Sequence, residues 1–113
     1  DYPFFYSTVD DLGRYLLFHL NSGAFGGKRL VSQKALARMY RPHPPVSRDD
    51  MAYGLGLNVG SNPKIRHLGA SGTLLWLDFE HDSAGVLLTQ VPWGNHKELI
   101  PRLTGKIASF YPR

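Results

Sequence analysis

Apolar residues fall at Val9, Leu12, Leu16 and Leu20, a spacing of three and four that lays one apolar stripe along a helix. Ser7 and Thr8 stand just before it, and Thr8 with Asp11 three residues on resembles a capping box with a shorter acid. Asp10 and Asp11 suit the positive end of that helix's dipole, and His19 lies near the other end, where a cation is favoured. Asn21-Ser22-Gly23 stops the helix. Gly26-Gly27 makes a tight turn. Ser32 then caps a second helix with Ala35, Leu36, Met39 and Tyr40 on its inner side, ended by Pro42, Pro44 and Pro45.

Residues 46–51 read as polar loop, after which the hydrophobic period changes to two. Tyr53, Leu55, Leu57 and Val59 alternate with Gly54, Gly56 and Asn58, predicting one strand with small residues on one face. Gly60-Ser61-Asn62-Pro63 is a turn. A short strand over 65–68 ends at Gly69, a denser strand follows over 73–79, and Glu80-His81-Asp82-Ser83 closes a hairpin. Residues 84–91 are almost continuously apolar, which predicts a strand buried on both faces. Asn95 with Glu98 resembles a capping box opening a last helix with Leu99, Leu103, Ile107 and Phe110 on one side, and Pro101 is expected to bend it. The predicted order is helix, helix, three or four strands, helix: an α+β fold, an antiparallel sheet with packed helices. With no internal repeat or linker, residues 1–113 form a single domain with one modest core.

An apolar share of 42% with 12 Gly and 8 Pro excludes disorder, collagen and coiled coil. The longest apolar runs, 15–18 and 74–77, fall far short of the roughly 20 residues of a membrane span. The absence of cysteine removes disulfides, thiolate zinc sites and a cysteine nucleophile, and leaves periplasmic, secreted and cytoplasmic locations equally open. Asp1-Tyr2-Pro3-Phe4 carries neither an initiator Met nor a signal peptide and reads as a start within a longer protein. The net charge of +4 raises the question of acidic partners. Lys34, Arg38 and Arg41 share a helical face, but no basic run or recognition motif accompanies them, so they read as solvated surface and no nucleic-acid partner is expected.

His67-Leu68-Gly69-Ala70-Ser71-Gly72-Thr73 is the segment that concentrates an imidazole, small residues and a strand start. Gly69 and Gly72 let a ligand or another backbone approach closely. The Ala70 N–H could donate to an oxygen that turns negative in a tetrahedral intermediate, with His67 supplying a donor or positive charge beside it. On spacing alone, a hairpin glycine pair beside an ordinary surface histidine describes the same residues. Ser71 does not sit in a Gly-x-Ser-x-Gly elbow, since position 73 is Thr and a strand follows, so it reads as a turn residue rather than a nucleophile. Histidines 19, 43, 67, 81 and 96 form no metal-binding spacing, and no phosphate-cradling motif occurs, so neither metal nor cofactor is expected. Asp78 and Glu80 lack a facing carboxylate, and His81 between Glu80 and Asp82 looks like turn chemistry.

Taken in order, Ser7-Thr8-Val9-Asp10-Asp11-Leu12, Asn21-Ser22-Gly23, Gly27-Lys28-Arg29-Leu30-Val31-Ser32, Tyr53-Gly54-Leu55-Gly56, His67-Leu68-Gly69 and Thr73-Leu74-Leu75-Trp76-Leu77-Asp78 with Leu88-Thr89-Gln90 resemble the C-terminal part of one superfamily. It is that of the serine beta-lactamases, penicillin-binding proteins and family VIII-type esterases, nearest to the class C-like branch. The resemblance implies an acyl-transfer hydrolase acting on a small-molecule ester, amide or lactam through an acyl-enzyme. His67-Leu68-Gly69 is similar to the third active-site element, Lys-Thr-Gly or His-x-Gly. It implies that His67 assists or orients, that Gly69 leaves room for substrate, and that the Ala70 N–H completes the oxyanion hole, with Leu68 and Ser71 lining the substrate.

The departures shape the expectation. The superfamily's nucleophile lies in Ser-x-x-Lys and further proton-transfer groups in Tyr-x-Asn. Ser61-Asn62-Pro63-Lys64 fits the first in letters, but Pro63 and Gly60 place it in a turn, and neither Tyr15 nor Tyr53 has Asn two residues on. Phe4-Phe5-Tyr6 stand where relatives often carry small residues, and Leu68 replaces a threonine or small polar residue, which tilts the reading from lactam toward ester. The expectation is a single partial domain that lacks its nucleophile element, is inactive alone, and needs a missing upstream segment as partner. The alternative is a non-catalytic binding or assembly module, self-associating through an exposed sheet edge.

Overall fold

The computed structural model describes residues 5–43, 47–48, 51–60, 65–92 and 98–109. Helix α1 spans Val9–Leu20 and opens as its sequence predicts, with Thr8 Oγ1 accepting from the Asp11 N–H at 3.2 Å. Gly26-Gly27 joins the two-residue strands β1 (Ala24–Phe25) and β2 (Lys28–Arg29). Helix α2, Gln33–Met39, starts on Ser32, whose Oγ accepts from the Ala35 N–H at 3.2 Å.

Among the described residues the second sheet has six strands in sequence order, all antiparallel: β3 (Ser47–Arg48), β4 (Met51–Tyr53), β5 (Asn58–Val59), β6 (Ile65–Gly69), β7 (Thr73–Asp78) and β8 (Ser83–Leu88). Three or four strands were too few for two reasons. Residues 46–51 are not all loop, because β3 pairs with β4 through Ser47↔Ala52. The alternating stretch 53–59 is not one strand either: the Gly54 N–H donates to the Leu57 carbonyl at 2.7 Å and Gly56 takes φ +79°, so the chain reverses between β4 and β5. Of the glycines that read as one small face of a strand, Gly56 supplies the positive φ of the turn, and Gly54 lies where a Cβ would collide with the Met39 carbonyl.

Strand alternation divides the core in two. On one face, Leu16, Leu57, Ile65 and Leu77 cluster, with Leu20, Met39, Tyr40, Leu75, Ala84 and Val86 packed around them. On the other, Leu74 and Trp76 pack with Leu68, Leu87 and Ile107 of helix α3, Leu99–Ala108. Strand β8 feeds both, Ala84 and Val86 on the first face and Leu87 on the second, as its nearly continuous apolar run suggests, though the strand ends at Leu88. Helix α3 differs from expectation at its start. Its N-cap is Glu98, with no side-chain cap bond, and Asn95 lies outside the described residues, as do Ser61, Lys64 and Phe110. Pro101 is the third helical residue, where a backbone N–H has no intrahelical partner, so no ladder bond is lost there. No helix among the described residues is long and apolar enough to cross a membrane.

His19 corrects the helix-end reading. Only 1% of its surface is exposed, and it lies in an aromatic cage: Tyr15 edge-on at 4.5 Å, Phe18 at 5.2 Å and Tyr40 at 5.8 Å between ring centroids. Nδ1 and the Tyr40 hydroxyl share a hydrogen bond of 2.5 Å, while Nε2 is buried without a partner among the described residues. Burial lowers its pKa from 6.5, so the group is neutral packing rather than a cation serving the dipole. The same burial, with Tyr15 adding to it, pushes the Tyr40 hydroxyl up to about 12.

A pH dependence follows. Above the unfolded value of 6.5, His19 is neutral folded and unfolded alike and carries no penalty. Below it the unfolded chain takes up a proton that the folded chain resists, so stability falls by up to about 1.4 kcal/mol per pH unit until the folded imidazole also protonates. Urea unfolding of wild type and His19→Gln between pH 7.5 and 5 checks this. The variant should lose most of the slope, and equal slopes would remove His19 as the cause.

Candidate active site

The His67–Thr73 segment forms the β6–β7 hairpin. Gly69 pairs with Thr73, the Gly72 N–H donates to the Gly69 carbonyl at 3.0 Å, and Gly72 sits at φ +87°. This is a three-residue loop, a tight turn followed by a left-handed residue, and glycine meets that last demand without strain. Ala70 and Ser71 occupy the loop tip, both exposed. The Ala70 amide has no acceptor among the described residues.

His67, in the middle of β6, is half-buried and lies opposite Leu75, on the sheet face that carries Ile65 and Leu77. Its Nδ1 is 2.9 Å from the carbonyl oxygen of Gly56, in the β4–β5 turn. Leu68, one residue on, points to the opposite face and packs against Leu74 and Trp76. Its side chain belongs to the second core, so the adjacent motif letters serve different layers.

The space beside both glycines is occupied by the chain itself. A Cβ at Gly69 would run into Thr73 Oγ1, so the room left there holds a hydroxyl rather than open groove. A Cβ at Gly72 would collide with the Val91 carbonyl and Thr89 Oγ1, and Thr89 binds the Gly72 carbonyl through its Oγ1, at 2.6 Å, and through its N–H, at 3.2 Å. Of the two close approaches that the glycines permit, the one at Gly72 is backbone on backbone. Thr73 is the residue that sequence reasoning left out. Its hydroxyl stands on the His67 face and has no hydrogen-bond partner among the described residues. Strand alternation from His67 through the Gly69↔Thr73 pair would have found it.

The other candidates resolve as structure. Asp78 Oδ1 accepts from the N–H groups of Glu80 and His81, and Oδ2 accepts from His81 Nδ1 at 2.7 Å, closing the β7–β8 turn. Partial burial pushes the Asp78 carboxyl up, but those bonds outweigh it and its pKa is lowered. No group of three or more metal-ligating side chains occurs among the described residues.

The hairpin thus presents, within seven residues, three polar groups without a hydrogen-bond partner among the described residues: His67 Nε2, the Ala70 N–H and Thr73 Oγ1. A backbone donor at a loop tip beside an imidazole can hold an oxygen as it gains negative charge. Compared with known families, residues 2–103 match the profile described as Beta-lactamase. No curated protein matches the chain.

Proposed function

Because the chain belongs to the beta-lactamase family over residues 2–103, we propose that it carries the His67–Ala70 side of a serine-hydrolase acyl-transfer site whose nucleophile comes from outside these 113 residues. The supporting observation is the Ala70 amide, exposed at the hairpin tip and without an acceptor among the described residues. In the reaction a serine hydroxyl oxygen bonds to the carbonyl carbon of an ester, amide or lactam while a base carried with that serine takes its proton, later passed to the leaving group, and the carbonyl's π electrons move onto its oxygen. The Ala70 N–H, with the nucleophile's own N–H, holds that oxyanion; its collapse expels the leaving group, and water later releases the acyl chain. His67 orients the substrate from the strand. Gly69 keeps the strand edge narrow, and Ser71 stands at the exposed tip, where a side-chain hydroxyl can meet a substrate. Leu68 acts here only through packing behind the strand.

The lone Ser-x-x-Lys spelling in the sequence, Ser61 to Lys64, is read as a turn from Pro63 and the flanking Gly60 rather than as the start of a helix that would activate a nucleophile. The purified 113-residue chain should therefore turn over neither nitrocefin nor p-nitrophenyl acetate. Robust turnover lost in Ser61→Ala or Ser71→Ala overturns this reading. A second reading, a binding or assembly module, draws on β8, a six-residue strand that forms the sheet edge among the described residues, paired only with β7. Absent turnover with concentration-dependent self-association in sedimentation favours that reading.

A further inference from the structure

We propose that neutral His67 acts as a hydrogen-bond acceptor through Nε2, with the Gly56 carbonyl as the positioning group, so that the corner selects acyl compounds bearing a hydrogen-donating group over those bearing a carboxylate. A carbonyl oxygen has no proton to give, so the 2.9 Å contact requires a proton on Nδ1. A neutral imidazole carries one N–H only. Nε2 is then left with a lone pair, and no described residue uses it.

The Gly56 carbonyl is held firmly enough to impose this. Its turn is closed by the Gly54 N–H on the Leu57 carbonyl at 2.7 Å and tied to the end of α2 by the Leu55 N–H on the Met39 carbonyl at 3.1 Å. Leu57, only 4% exposed, anchors the far side in the first core. The pairing Asn58↔Arg66 sets the register that brings the turn to His67. A lone pair repels a carboxylate and welcomes an amide N–H, a hydroxyl or an ammonium. Leu68 supplies no polar side chain to reverse that preference, since it lies on the other face.

The selection rests on the acyl-transfer reading above, whereas the tautomer does not, and the test separates them. Long-range proton–nitrogen spectra of the 15N-labelled 113-residue chain at pH ~8.5, about two units above the ordinary histidine value, report each ring nitrogen, with His67→Gln assigning the signals. Nδ1 should appear protonated and Nε2 bare; an Nε2–H ring, or an average of both forms, overturns the proposal. N-acetylglycinamide and N-acetylglycine, which differ in a terminal amide against a carboxylate, are then titrated in. The amide should shift the Nε2 signal, and the acid should bind at least about tenfold more weakly, roughly 1.4 kcal/mol. Equal or tighter binding of the acid overturns the selection. A bare Nε2 that responds to neither compound overturns the selection and leaves only the fixed tautomer, while the acyl-transfer reading stands or falls on the turnover test above.

Discussion

Leu77→Ala is expected to lower the stability of the chain by about 2–5 kcal/mol, seen as a lower urea midpoint at unchanged slope. Leu77 is 1% exposed near the end of β7, paired with Ile65 on one side and Ala84 on the other, and it closes the Leu16–Leu57–Ile65 cluster under α1. Truncation removes several buried methyl groups and leaves a cavity that strands hydrogen-bonded on both edges cannot close. A domain of this size holds about 5–15 kcal/mol in all, so the loss is a large share. Leu55→Ala is the control: Leu55 is 50% exposed, and its truncation should cost within about 0.5 kcal/mol. Equal losses for the two would mean that the core lies elsewhere.

Gly72→Ala should cost about 2 kcal/mol or more. At φ +87° any side chain carries about 1–2 kcal/mol of left-handed strain, and this one also meets the Val91 carbonyl, which is backbone and cannot simply rotate aside. Residues 89–91 must retreat, weakening the two bonds from Thr89 to the Gly72 carbonyl, each about 1 kcal/mol. The expected signature is a lowered melting temperature with faster exchange of the Thr89 amide. The loop that holds Ala70 would shift with it. An unchanged melting temperature and unchanged Thr89 exchange would show that the hairpin does not depend on this contact.

Elements with local causes were legible in the sequence. Thr8 and Ser32 cap the helices they precede, because a cap is decided within three residues, and β6, β7 and β8 lie within a residue or a few of where their apolar runs put them. What depended on distant partners was not legible. The alternation from Tyr53 to Val59 fits a strand and a turn equally well until Asn58 folds back on Tyr53 and the Leu55 N–H finds the Met39 carbonyl at the end of α2. His19 counts as polar in any pattern, yet it lies three residues after Leu16 and one before Leu20, within the stripe it joins; only Tyr40, from beyond α2, makes its burial tolerable. At the candidate site, the motif and its glycines stood out, but the atoms filling the space beside them, from Thr73, Thr89 and Val91, belong to a neighbouring strand and to the segment after β8. The facing of Leu68 away from His67 could have been read, since adjacent strand residues always part.

A single peptide unit separates Gly56, whose oxygen grips the imidazole, from Leu57, whose side chain is embedded among Leu16, Ile65 and Leu77. Loosened packing beneath α1 is thereby transmitted to the ring as a drifting anchor. On the proposed tautomer, the His67 ring nitrogens are expected to register a poorly filled variant while the chain is still folded.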